Sequence, residues 1–191
     1  QKKYRLIYVS NIDYYKNHLF LVKCLDEFIK NNPNYAKKLK VEFYGSNYPP
    51  ALKKLNNFIS NDIRYKKNFR YYGVKNSKFI YKERKSYDTI FLFASSCENF
   101  AVSLIEGMSR GFPILCVNLE PMKSVLGNSA IFYDFNSEIN FQTKLKKILN
   151  SKILQNKLSK KVYRRSKVFA DRTASEKTFN FLIQIAKKYE K

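Results

Sequence analysis

Residues 89–117 read TIFLFASSCENFAVSLIEGMSRGFPILCV, and they divide into a strand, a loop, a helix and a second strand. Thr89 to Phe93 form a mostly apolar run, which is the pattern of a strand covered on both faces of a sheet. Pro113 to Val117 form a second such run. Between them, apolar residues recur at helical spacing until a Gly and a Pro end the helix: Ala101, Leu104, Ile105, Met108, Gly111 and Pro113. The segment is therefore predicted to be a β–α–β unit with two parallel strands.

The rest of the chain repeats this alternation. Strands are predicted at residues 4–9, 41–44, 69–72 and 130–133, and helices at 16–31, 50–59 and 77–87. From residue 134 the chain is predicted to be helical to its end, with breaks near 150–151 and 170–171. This order predicts an α/β fold: a doubly wound, Rossmann-like parallel sheet of about six strands with a helical C-terminal tail. Ligands of such sheets bind beyond the carboxyl ends of the strands, where the strand order reverses.

The composition describes a folded and strongly basic chain. Its 191 residues suffice for one domain, or one domain and a tail, and 45% hydrophobic residues exclude a disordered protein. The 37 Lys and Arg residues against 15 Asp and Glu give a formal net charge of +22, which indicates an anionic partner. The frequencies of Lys and Asn also rise in AT-rich genomes, and mutational bias therefore explains a part of this charge equally well.

Cysteine and histidine usage excludes a zinc site. The three cysteines, Cys24, Cys97 and Cys116, have no paired spacing, and His18 is the single histidine. No apolar run reaches the roughly 18–20 residues that cross a bilayer, and no signal peptide is present, so a cytoplasmic protein is expected. Because the chain opens with Gln1 and its first methionine is Met108, we expect it to be a piece of a longer protein or a processed chain.

Two carboxylates flank the start of the central helix. Glu98 lies in the loop after the strand, and Glu106 lies within the helix, away from its apolar face. The free N–H groups near Phe100 to Val102 suit an anion such as a diphosphate, and a carboxylate in the helix can accept hydrogen bonds from a ribose. The alternative is that Glu98 stabilises the helix end and Glu106 is merely solvated. Spacing alone leaves both interpretations open.

A family resemblance adds to this pattern. The segment resembles the Glu-x7-Glu signature of the retaining glycosyltransferases of family 4 and their relatives, the glycosyl transferases group 1, which lies in the C-terminal half of the GT-B fold. It departs at Asn99 and Ala101, where the family usually has Gly, and at Gly107, where the family often has Ala. The resemblance covers about residues 4 to 150. The matching positions are Ser95, Glu98, Phe100, Glu106, Met108, Gly111 and Pro113.

The resemblance implies a role for each matching residue. Glu106 would hold the nucleotide ribose, Glu98 would lie at the donor sugar as the catalytic residue, and Lys16 would neutralise phosphate charge. No metal or other cofactor is implied, because the helix dipole and cationic side chains stabilise the leaving diphosphate. The family often has an Arg shortly before the Lys; this chain has Ser10-Asn11-Ile12 there, so the second cation is missing. Backbone amides would cradle the diphosphate at Asn99, Phe100, Ala101 and Val102.

The implied activity is the transfer of a hexose, with retention, from a nucleoside-diphosphate sugar to a glycan or lipid-linked acceptor, as in bacterial polysaccharide biosynthesis. Residues 1–172 would form the donor-binding domain. Residues 173–191 would form a C-terminal helix that crosses to an N-terminal acceptor domain, which this chain lacks. The fragment alone is therefore expected to be inactive, and a location at the inner face of the membrane is implied.

The residues alone also allow other functions. Basic residues crowd segments 64–70, 75–85 and 157–167, where they fit solvated helix faces, an anionic membrane surface or a nucleic acid. Nucleic acid is the least favoured of these, because no recognition motif accompanies the charge. A basic Rossmann-like binding module and a relative of nucleotide-sugar epimerases are the alternatives to a transferase. His18 is expected at a helix cap or on the surface, and Cys97 is expected to be a small apolar side chain lining the cleft.

Overall fold

A computed structural model of the protein describes residues 3–82, 87–169 and 171–189. Its six strands are Lys3–Val9 (β1), Leu39–Tyr44 (β2), Phe69–Tyr71 (β3), Tyr87–Phe93 (β4), Ile114–Val117 (β5) and Ile131–Tyr133 (β6). Four helices precede β5: His18–Asn31 (α1), Pro49–Asn61 (α2), Ser77–Ile80 (α3) and Val102–Ser109 (α4). Four more follow it: Met122–Leu126 (α5), Glu138–Leu149 (α6), Lys152–Ser166 (α7) and Asp171–Tyr189 (α8).

The strands form one parallel sheet in the order β3-β2-β1-β4-β5-β6. The chain builds outward from β1 through β2 to β3, then returns to the other side of β1 with β4. The strand order therefore reverses between β1 and β4, which pair from Lys3 opposite Tyr87 to Ile7 opposite Phe91. This arrangement confirms the predicted doubly wound α/β fold and places the ligand-binding edge at the ends of these two strands.

The core lies on both faces of the central strands. Leu6, Ile7 and Tyr8 of β1 are fully buried, as are Ile90, Phe91 and Leu92 of β4. Burial on both faces explains why these strands are runs of apolar residues instead of alternating patterns. Arg5 is the exception within β1, because it is fully buried and its Nε lies 2.6 Å from the carboxylate of Glu42 on β2.

Two short helices differ from the sequence-based expectation. The helix predicted over 77–87 ends at Ile80, and Tyr87 already belongs to β4; residues 83–86 lie outside the described part of the chain. The basic residues there indicate a solvent-exposed helix, but Ile80 and Tyr81 are buried against the core. α5 was not predicted, because five residues are too few to show helical periodicity.

The C-terminal third is helical, as predicted. α6 ends at Leu149 and α7 begins at Lys152, where the Ser151 hydroxyl accepts from the N–H of Leu154 at 3.1 Å. The last helix is predicted over 173–191; α8 is Asp171–Tyr189, and residues 190 and 191 lie outside the described part of the chain. No helix among the described residues is long and apolar enough to span a bilayer.

α8 differs from the other long helices because its side chains do not join the core. Every α8 side chain that the structure describes is exposed, including six large apolar ones: Phe179, Phe181, Leu182, Ile183, Ile185 and Tyr189. The predicted division of the chain after residue 172 remains a prediction.

Candidate functional site

Two loops meet where the strand order reverses. The first follows β1 and carries residues 10–17; the second follows β4 and carries residues 94–101. The backbone N–H of Ser96 donates to the carbonyl of Tyr15 at 2.8 Å, and the side-chain amide of Asn17 donates to the carbonyl of Ala94 at 2.8 Å. Because β1 and β4 are neighbours, these bonds join two loops that are far apart in sequence into one rim.

Lys16 and Glu98 form an ion pair across this rim. The Lys16 Nζ lies 2.5 Å from Glu98 Oε1, and their side chains are only 9% and 13% exposed. The ammonium also lies 4.7 Å from the centre of the Tyr15 ring. The Lys16 carbonyl accepts from the hydroxyl of Tyr8, a buried β1 residue, at 3.0 Å. The structure thus brings together two residues that the sequence singled out separately, and it presents them as partners.

The start of α4 opens onto the same rim. Among the described residues, the N–H groups of Asn99, Phe100 and Ala101 donate to no protein acceptor, whereas the N–H of Val102 donates to the carbonyl of Phe100 at 3.0 Å. Three of the four amides that the sequence proposed are therefore available in this structure. Free N–H groups at the positive end of a helix form a site for an anion.

Glu106 lies in α4 and is exposed, whereas its neighbours Leu104, Gly107 and Met108 are buried. This agrees with the helical wheel, which placed Glu106 away from the apolar face. The hydroxyl of Tyr81 donates to Glu106 Oε2 at 2.8 Å. Sequence reasoning missed Tyr81, because it follows a short helix in a different β–α unit and has no motif of its own.

Gly45 allows the loop after β2 to pass behind the rim. Its φ of +139° is one that L side chains rarely adopt, and a Cβ atom there would lie 2.3 Å from the carbonyl oxygen of Ser10. The Tyr71 hydroxyl donates to the Gly45 carbonyl at 2.9 Å. Gly45 is thus required both for its backbone conformation and for its close approach to the loop that carries Lys16.

Gly107, one of the departures from the family pattern, has a local cause. A Cβ atom at this position would lie 2.7 Å from the ring of Phe91 on β4. α4 packs directly on that ring, which is fully buried. The large side chain on the strand therefore takes the space that an alanine on the helix would need.

The structure places His18 in the core and Cys97 on the surface. His18 is 2% exposed, stacks on Tyr8 at 4.8 Å between ring centres and meets the edge of Phe43 at 5.2 Å, so the expectation of a capping or surface residue was wrong. Burial, and then the Lys16 charge, lower the pKa of His18 to about 3. The helix begins at His18 itself, and its first turn faces the core, where an aromatic ring fits. Cys97 is an exposed free thiol beside Glu98.

No group of three or more His, Cys, Asp or Glu side chains that could hold a metal ion occurs among the described residues. Lys16, Glu98 and the free amides at the start of α4 lie together on the rim beyond β1 and β4. Glu106 supplies a second carboxylate farther along the same helix.

Comparison with solved structures supports the fold. The pneumococcal O-GlcNAc transferase GtfA in complex with UDP and GlcNAc superposes with a TM-score of 0.77 at 20% identity, over 97% of this chain and 36% of that one. A glycosyltransferase from Rickettsia africae gives 0.81 at 17%, over 98% and 49%. Anabaena HepE in complex with UDP gives 0.76 at 10%, over 94% and 49%. This chain thus spans less than half of each of these structures, and it has the fold of one GT-B domain.

A search of the curated proteins found no match. The family model described as glycosyl transferases group 1, in contrast, matches residues 1–165, which is most of the chain. The sequence signature and the sheet order agree with this match. The chain belongs to the glycosyl transferases group 1 family.

Proposed function

We propose that this chain is the donor-binding half of a retaining glycosyltransferase, which transfers a hexose from a nucleoside-diphosphate sugar to a glycan or lipid-linked acceptor. The observation that carries the proposal is the convergence of Lys16, Glu98 and three free amides at the point where the strand order reverses. A cation and a helix N-terminus are suited to a diphosphate, and a carboxylate beside them is suited to sugar hydroxyls.

The chemistry follows from where charge develops. When the bond from the sugar C1 to the diphosphate breaks, negative charge grows on the phosphate oxygens and positive charge grows on the sugar. The α4 amides and Lys16 stabilise the first, and the Glu98 carboxylate stabilises the second. Glu106 holds the nucleotide ribose. No metal is needed in this scheme, because fixed dipoles and one cation stabilise the leaving group.

The acceptor belongs to a second domain in this proposal. The matched structures are about two to nearly three times as long as this chain, so a further domain would face the rim and bind the acceptor. α8, whose described side chains are exposed and include six large apolar ones, would cross to that domain and bury its apolar side chains there. The present chain would then bind the donor and would not catalyse transfer by itself.

A calorimetric titration tests the donor site. UDP is the first nucleotide to use, because GtfA and HepE were each solved with UDP. The wild-type chain should bind it, and Glu106→Gln should weaken binding by about 1.5–3 kcal/mol, the range for a hydrogen bond to a charged group. Glu27→Gln, which alters a carboxylate on α1 that pairs with Lys30 on the same helix, is the matched control and should bind as the wild type does. Failure to bind UDP, GDP and ADP alike would overturn the proposal.

Two other measurements distinguish the alternatives from a transferase. A basic binding module for nucleic acid predicts salt-sensitive binding of an oligonucleotide that survives replacement of both Glu98 and Glu106. An epimerase relative predicts that the complete protein interconverts two nucleotide sugars without an acceptor.

A second, compatible proposal concerns an anionic membrane, where lipid-linked acceptors lie. The observation that favours it is the outer face of α7 and of the turn that follows it. Four cations are exposed there beside the half-exposed ring of Tyr163 and the exposed side chain of Ile153: Lys157, Lys160, Arg164 and Lys167. Cations interleaved with such side chains are typical of surfaces that bind anionic headgroups.

A further inference from the structure

The contact between Tyr81 and Glu106 joins a buried side chain to an exposed one. Tyr81 is 6% exposed, and its hydroxyl lies 2.8 Å from Glu106 Oε2. Burial, and then the hydrogen bond to Glu106, raise the pKa of Tyr81 well above its ordinary value. The hydroxyl therefore stays protonated and remains a donor at neutral pH. An otherwise mobile glutamate is thus tied to the core at one oxygen.

The Tyr81 ring is held on its sides. The guanidinium of Arg110, the residue that follows α4, lies 5.6 Å from the ring centre. The ring of Phe112 packs at 6.2 Å between centres. These contacts leave the hydroxyl little freedom to move away from the carboxylate.

The backbone that carries Tyr81 is held from below. Arg5 Nη2 donates to the carbonyl of Ile80, the residue before Tyr81, at 2.7 Å. Arg5 is itself fixed, because its Nε donates to Glu42 at 2.6 Å and both side chains are buried. Two neighbouring strands, β1 and β2, therefore determine where the Tyr81 hydroxyl lies, and through it where the Glu106 carboxylate lies.

We propose that Tyr81 is a positioning residue for nucleotide binding: it holds Glu106 Oε2 so that Oε1 faces the ribose hydroxyls. This inference rests on the proposed function. A free glutamate would have to give up side-chain rotamers when the nucleotide binds, whereas a tethered one has already done so. Tyr81 itself touches no ligand, so its effect must pass through Glu106.

The test compares Tyr81→Phe with the wild type in UDP titrations. Phe keeps the ring and removes only the hydroxyl. Tyr81→Phe should weaken UDP binding about fivefold to tenfold, the fold-change of one hydrogen bond. It should change the affinity for 2′,3′-dideoxyuridine diphosphate, which lacks both ribose hydroxyls, by less than about twofold. Tyr163→Phe, which removes a half-exposed hydroxyl from α7, is the matched control and should have no effect.

A second background distinguishes positioning from packing. In Glu106→Ala, the Tyr81→Phe change should have no further effect on UDP affinity, because the group through which it acts is gone. An equal loss in both backgrounds, or an equal loss for UDP and the dideoxy nucleotide, would show that Tyr81 acts through the fold and would overturn the inference. If the wild type binds UDP and Tyr81→Phe binds it with the same affinity, the inference about Tyr81 is overturned and the proposed function is not. If the wild type does not bind UDP, both are overturned.

Discussion

The ammonium of Lys16 lies 2.5 Å from the Glu98 carboxylate, although 82 positions separate the two residues in sequence. The family resemblance implies a phosphate for Lys16 and a sugar for Glu98, and in this structure each is the partner of the other. The positive charge of Lys16 is therefore already neutralised, and in the proposed donor complex a diphosphate would have to compete with Glu98 for it. The next two predictions follow from this competition.

Glu98→Gln should bind UDP more tightly than the wild type. The amide keeps the shape of the side chain but no longer competes for the Lys16 ammonium or repels phosphate. We expect a gain of roughly 1 kcal/mol, as for a partly screened ion pair, or about fivefold in affinity. The unliganded variant should melt at a lower temperature, because Lys16 has lost its charged partner. Calorimetry and thermal melts measure both effects, and equal UDP affinities would contradict the prediction.

Lys16→Met should weaken UDP binding more than uridine binding. Met fills the space of the mostly buried stem and removes only the charge, so the loss should be confined to ligands with phosphates. We expect about 1.5–3 kcal/mol for UDP and almost none for uridine. Lys53→Met, a change at an exposed α2 position, is the control. A uniform loss for the two ligands would mean that Lys16 supports the fold instead.

His18 should make the protein less stable in mild acid. Its pKa is about 3 in the folded chain against an ordinary value of 6.5, so the unfolded chain takes up a proton first as the pH falls. The free energy of unfolding is unaffected above pH 6.5 and then falls by up to about 1.4 kcal/mol per pH unit. No other histidine is present to contribute.

The variant for this measurement is His18→Leu, in urea titrations at pH 7.5 and 5.5. Neither ring nitrogen of His18 has a hydrogen-bond partner among the described residues, so Leu should also raise stability at pH 7.5 by about 1 kcal/mol. The loss of unfolding free energy between pH 7.5 and pH 5.5 should be smaller in His18→Leu than in the wild type. The same loss in both proteins would show that other groups cause the pH dependence.

Gly107→Ala should lower stability, although Ala is the better helix former. The new methyl group would meet the Phe91 ring at 2.7 Å, and overpacking of this kind costs about 1–3 kcal/mol. Phe91→Leu makes space at the same place, so the double variant should be more stable than the sum of the two single losses predicts. Strict additivity in denaturant unfolding would contradict this explanation of the family departure.

The α7 face should bind anionic vesicles if the second proposal is correct. The variant to test replaces Lys157, Lys160, Arg164 and Lys167 by Gln. It leaves Arg165 intact, because this residue donates to the carbonyls of Val125 at 2.9 Å and Ser124 at 2.8 Å and so supports α5. Wild-type protein should sediment with phosphatidylserine vesicles at low salt, about 1 kcal/mol being gained per cation. The variant should not, and both should bind UDP equally. If the wild-type protein does not sediment with these vesicles, the membrane proposal is wrong.

The sequence predicts the fold well because its signals are local. The strands are short segments rich in apolar and aromatic residues, and glycines such as Gly45 and Gly73 follow two of them at positive φ. Helical periodicity identified the long helices for the same reason. α3 and α5 were mispredicted or missed, because four or five residues carry no period and their ends are set by what they pack against.

The site was predictable only in part, since its contacts are between distant segments. The match to the family's Glu-x7-Glu signature indicated Glu98 and Glu106, and the resemblance of the loop after β1 indicated Lys16. The hydrogen bond from Tyr81 to Glu106 was not predictable, because it joins the β3–α3 unit to α4 and leaves no spacing to detect. The burial of His18 was hidden for a similar reason, since its partners Tyr8 and Phe43 lie on two different strands.

The pairing of β1 with β4 also determines when the rim forms during folding. A shorter stretch of chain separates β1 from β2 than from β4. The pairing of β4 with β1 therefore closes a longer loop, at a higher entropic cost. The bonds from Asn17 to Ala94 and from Ser96 to Tyr15 belong to this late step. We therefore expect the rim to form after the β1–β2 pairing, and a ligand that binds the rim would stabilise the completed sheet by mass action.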